Sequence, residues 1–130
     1  MRTLTRLSVA TAVGVATLLP MTAASAADSV TRSGACSATS TWTMRAAEAT
    51  GDLADVRLTV DSTRAGQTWS VALFRQGVQF FSTQKTTNTS GDFTVSHSAR
   101  EVNGVDDVYT AKARNLRTGE TCSAKVVLPA

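Results

Sequence analysis

Proline is almost missing from this sequence. Its two prolines stand at Pro20 and Pro129, so between them no residue removes a backbone donor or confines a strand to a sheet edge. Histidine and tyrosine each occur once, as His97 and Tyr109, and cysteine twice, as Cys36 and Cys122. There is no internal repeat and no low-complexity tail. Strong charge of one sign is also lacking, because the formal charge of +3 includes Arg2 and Arg6 in the N-terminal segment. Without those two, 11 Lys and Arg face 10 Asp and Glu, a net charge of +1. Such a balance leaves no electrostatic footprint for nucleic acid or an anionic membrane.

The first residues have the organisation of a secretory signal peptide. Arg2 and Arg6 form a basic start, the apolar run extends from Leu7 to Leu19, and Ala24-Ser25-Ala26 supplies a small-residue cleavage site. Cleavage is expected after Ala26. The apolar run is too short for a membrane span and is broken by Thr11, Thr17 and Pro20. The C-terminal Leu128-Pro129-Ala130 carries no apolar tail, so no membrane anchor is expected. Residues 1–26 are thus assigned to the leader, 27–33 to a disordered arm, and 34–130 to one folded domain. In an exported domain of this size Cys36 and Cys122 are expected to pair.

Glycines punctuate the mature chain. Gly51, Gly66, Gly77, Gly91, Gly104 and Gly119 each sit in a turn-like context and separate seven segments with strand periodicity. The segments are Cys36 to Ala46, Asp55 to Ser62, Thr68 to Arg75, Val78 to Thr86, Asp92 to Ser98, and two within Asp106 to Leu128. In the last stretch Tyr109, Ala111 and Ala113 alternate with Thr110, Lys112 and Arg114, and Cys122, Ala124 and Val126 alternate with Ser123 and Lys125. One apolar and one wet face describe a half-buried antiparallel sheet. Between the two runs, Asn115 and Gly119 supply residues that tolerate positive φ. Trp42, Trp69, Phe93 and Tyr109 are the expected core anchors.

The run Asp107-x-Tyr109-x-Ala111-x-Ala113-x-Asn115, followed by Gly119 and another strand, resembles the last hairpin of immunoglobulin-like and fibronectin-type-III-like sandwiches. The resemblance implies an all-β, immunoglobulin-like antiparallel β-sandwich of about seven strands. It also implies that Tyr109 folds back onto the backbone as a structural corner. In the fibronectin-like order, strands one, two and five form one sheet, and four, three, six and seven the other. The cysteines depart from the immunoglobulin pattern, since Ala111 occupies the position two residues after the tyrosine.

Little points to catalysis. His97 continues the inward register of Phe93 and Val95, which suits a rim histidine. A hydrolase would need it beside a Ser and an Asp. Asp106-Asp107 and Asp52-x-x-Asp55 fall in expected loops but match no calcium-loop spacing, so they are read as solvated strand caps with no metal and no cofactor. Surface chemistry is more informative. With Leu73 inward, Phe74 points out, and so must one of Phe80 and Phe81, on a face shared with Lys112, Arg114 and Lys125. Aromatic rings interleaved with cations are common on partner surfaces. The expected function is that of a secreted, monomeric, non-catalytic module that binds a protein or cell-surface component. The alternative is a small-molecule carrier resembling the chromophore-carrying antibiotic apoproteins, which have four cysteines and an acidic surface.

Overall fold

A computed structural model describes Gly14 and residues 28–130. Apart from Gly14, the expected leader and its cleavage site lie outside the described residues. Eight strands follow: β1 (Ser29–Ala35), β2 (Thr41–Glu48), β3 (Leu53–Asp61), β4 (Thr68–Arg75), β5 (Val78–Thr86), β6 (Asp92–Arg100), β7 (Asp107–Asn115) and β8 (Thr121–Leu128). They form two four-stranded antiparallel sheets, ordered β1-β2-β3-β6 and β5-β4-β7-β8. This is the strand order implied by the sequence resemblance, with one strand added at an edge.

The added strand is β1, and it replaces the expected disordered arm. Residues Ser29 to Ala35 pair along their whole length with β2, from Ser29 opposite Ala47 to Ala35 opposite Thr41. The segment expected to begin a strand at Cys36 instead turns through residues 36–40, where Cys36 N–H donates to the Ser40 carbonyl at 2.9 Å. Gly34 is required in β1 by close approach. A Cβ there would stand 2.7 Å from the Trp42 ring, so the indole packs directly on the β1 backbone.

Alternation builds the core between the sheets. Ala54, Val56, Leu58 and Val60 of β3 face Trp69, Val71 and Leu73 of β4, with Tyr109, Ala111 and Ala113 of β7 and alternate residues of β8 completing the layer. The Cys36–Cys122 disulfide links the end of β1 to β8, and so ties the two sheets along one side. Beside it, Ser37 N–H donates to the Thr121 carbonyl at 2.8 Å and Thr121 N–H to Ser37 Oγ at 2.9 Å. The Glu120 carboxylate accepts Ala38 N–H at 2.9 Å, Ser40 N–H at 3.0 Å and the Ser40 hydroxyl at 2.5 Å. Partial burial alone would raise the Glu120 pKa, but these three donors hold it below the usual carboxylate value. A disulfide of this kind fits an oxidising compartment.

The opposite side, between edge strands β5 and β6, has no such tie. It opens next to a tight hairpin in which Gln76 and Gly77 both take positive φ, 49° and 78°, the two-residue geometry that matches strand twist.

Candidate functional site

The outer face of the β5-β4-β7-β8 sheet is set by register. Across β4, β7 and β8, one row reads Phe74, Thr110, Lys125; the next reads Ala72, Lys112, Ser123; and a third reads Ser70, Arg114, Thr121. Phe74 and the three cations expected beside it therefore share one surface. Small residues between them leave a depression of about 370 Å³ bounded by Phe74, Lys112 and Arg114. Lys112 Nζ lies 5.7 Å from the centre of the Phe74 ring, within range of a cation–π attraction. The face bears no carboxylate, because the only acid in these four strands, Asp107, is turned inward and buried.

Phe80 and Phe81 do not belong to this face. The expectation that one of them must point out assumed unbroken alternation, and the β4–β5 register shifts between Leu73 and Phe74. Leu73 pairs with Phe81 and Phe74 with Gln79, so Phe80 is the extra residue of a β-bulge. Both rings pack against the core from the open side. Phe81 stacks on His97 with ring centres 4.0 Å apart, and Phe80 meets His97 at 6.1 Å and the edge of Tyr109 at 6.4 Å. His97 thus bridges the gap between β5 and β6 by stacking on Phe81, and no hydrogen bond joins it to a serine or aspartate among the described residues. Above it, Val78, Phe80, Ala99 and the side chains of Arg75 and Arg100 border an open cleft of about 470 Å³.

Asp107 corrects a second expectation. It is not a solvated cap but is 3% exposed, and it accepts from Arg75 Nε at 2.8 Å and from the second nitrogen, Nη2, of the same guanidinium. A buried carboxylate needs such a partner. Asp55 likewise lies within β3 rather than in a loop. Asn115 acts through its side chain rather than through positive φ. Its Oδ1 accepts Arg117 N–H at 2.9 Å and Thr118 N–H at 3.1 Å, while Gly119 takes the left-handed conformation at 77°.

Tyr109 is fully buried, and its hydroxyl donates to the Arg100 carbonyl at 3.3 Å, nine residues upstream. Burial first, and then the charges of Asp107 and Glu101, push its pKa up to about 12 from the ordinary 10.0. Since the folded value exceeds the unfolded one, this contribution to stability is complete below pH 10 and is lost as pH rises through about 12. Tyr109 is the only tyrosine, so ultraviolet difference absorbance should show one phenol ionising near pH 12 in native protein and near 10 in denaturant. A native midpoint at the ordinary value would contradict its burial. Tyr109→Phe should cost about 1 kcal/mol in chemical denaturation through loss of the hydrogen bond. An unchanged midpoint would show that the hydroxyl holds nothing.

Against known protein families, curated proteins and solved structures, the chain finds no match.

Proposed function

We propose that this chain is an exported, non-catalytic module of the immunoglobulin-like class that binds a protein or cell-surface component through the outer face of β5, β4, β7 and β8. The observation that carries this reading is the placement of Lys112 over Phe74, with Arg114 and Lys125 alongside, on a face without a carboxylate. A half-buried ring beneath a cation offers apolar contact and charge at one place, which is how interface anchors commonly work. Lys112, Arg114 and Lys125 form no ion pair among the described residues, which favours an anionic partner surface. Export rests on the leader and agrees with the disulfide.

The test replaces Phe74 with Ser and Lys112 with Glu in the mature domain. Capture of the partner recovered from culture fluid or the cell surface should weaken by about 2 kcal/mol or more. Stability should move by no more than about 0.5 kcal/mol, as for other surface changes. Unfolding of the variant, or undiminished capture, would each reject the face as the site.

A second reading, a small-molecule carrier, draws on the cleft between β5 and β6. Val78 is 69% exposed there beside Phe80, and the volume would suit a small apolar ligand. Phe80→Ser should abolish retention of such a ligand and leave partner capture intact.

A further inference from the structure

We propose that Arg45 and Arg57 form a binding site for a phosphate group on the outer face of the other sheet, β1-β2-β3-β6. The strand register places them directly opposite each other, in a row that reads Thr31, Arg45, Arg57, Ser96 across the four strands. Like charges facing each other across a strand pair are destabilising, and almost any neutral residue at either position would relieve the repulsion. A bound anion would also relieve it.

No carboxylate of the domain does so. Among the described residues the one ion pair is Arg75 with Asp107, on the other sheet. Asp55 projects from the same face two residues before Arg57, yet it stands beyond ion-pair distance from both arginines and accepts the Ser98 hydroxyl at 3.3 Å. Arg57 is oriented by its Nε–H, which donates to Ser96 Oγ at 3.3 Å and leaves the two terminal amino groups free to donate. Over this pair lies a depression of about 430 Å³, bordered by Arg45, Asp55, Arg57, Ser96 and Ser98.

The donor set selects the anion. One arginine fork occupies both oxygens of a carboxylate and meets its single charge. Two adjacent forks with two positive charges are better matched by a group with more acceptor oxygens and more charge, and a phosphate supplies three acceptors and nearly two charges. Asp55 at the rim sets a limit on how much negative charge can enter, and the Ser98 hydroxyl that donates to it at 3.3 Å takes up part of its acceptor capacity. Free phosphate ion and a phosphate carried on a polymer share this chemistry.

Amide-resolved NMR of the mature domain tests the site, with inorganic phosphate, polyphosphate and, at matched ionic strength, sodium chloride as separate titrants. Saturating shifts centred on Thr31, Arg45, Arg57 and Ser96 are expected with a phosphate titrant and not with chloride. Saturation by inorganic phosphate supports the free ion as ligand; saturation by polyphosphate alone supports a polymeric phosphate. Arg45→Gln with Arg57→Gln should weaken binding at least about tenfold, the loss expected when charge-assisted forks are removed. Its melting temperature should be unchanged or higher, because a repulsive pair is gone. Arg45→Lys with Arg57→Lys keeps the charge without the forks and should also bind more weakly. The Phe74→Ser, Lys112→Glu variant should bind phosphate like the parent domain, so this site and the docking face can fail independently. Chloride-like drift, or saturation that survives in the Gln double variant, overturns the proposal.

Discussion

Removing both cysteines, Cys36→Ala with Cys122→Ala, should lower the stability of the domain by about 4 to 5 kcal/mol. The bond closes a loop between residues 86 apart in sequence, and on the chain-entropy account a loop of that length contributes about this much by restricting the unfolded chain. Domains of this size are stable by only about 5 to 15 kcal/mol in total. The variant should therefore melt on the order of 20 °C lower, and near the bottom of that range it would not fold at all. The hydrogen bonds of Ser37, Ser40 and Glu120 along the same seam would survive as local contacts, but they cannot replace a covalent limit on the unfolded state. Denaturant titration of the variant, or of the parent domain under strong reductant, checks the figure. A loss below about 1 kcal/mol would mean that the seam, not the disulfide, joins the sheets.

The second large effect is expected at Gly91. It takes φ of 83°, and a Cβ there would collide with the backbone of Thr63 and Arg64 in the β3–β4 loop. Its carbonyl accepts both Ser62 N–H at 2.8 Å and the Ser62 hydroxyl at 2.9 Å, so the β3–β4 and β5–β6 loops, both of which cross between the sheets, are held in contact at this point. Gly91→Ala combines left-handed strain with backbone overlap that no side-chain rotation relieves, and should cost about 3 kcal/mol or more. Gly77 provides the control. Its φ of 78° is nearly the same, but a Cβ would meet nothing within 4 Å. Gly77→Ala should therefore cost only about 1 kcal/mol, and the difference between the two isolates the close approach. Equal losses would show that backbone conformation alone is responsible.

Much of the sandwich is legible in the sequence because its signals are local. The six glycines between strands all take positive φ, and the alternation in β3, β4, β7 and β8 matches their burial residue by residue. The strand β1 is hidden for a physical reason. Its inward positions are Val30, Arg32 and Gly34, so a single apolar side chain on the inward face carries no period, and the strand is held by its pairing with β2 and by the Trp42 ring on Gly34. The bulge that turns Phe80 inward is equally invisible to a rule of strict alternation, though two adjacent phenylalanines in a strand with one wet face could have raised it. Net charge also concealed the cation-rich faces. Several acids gather at one end of the sandwich instead, where burial and the nearby Glu48, Asp107 and Asp52 raise the pKa of Glu101. A chain can be almost neutral in sum and still present basic patches. Asp107 and Arg75 lie 32 residues apart, and no spacing rule foretells that pairing.

The claim that function resides on the outer face of β5, β4, β7 and β8 is tested most directly by mapping the amides that respond when the mature domain binds its partner. The response should centre on Ala72, Phe74, Lys112, Arg114 and Ser123, with Lys125 at its margin, and should leave Val78, Phe80 and Ala99 unmoved. A response centred on Val78, Phe80 and Ala99 instead would contradict it and place binding in the cleft between β5 and β6.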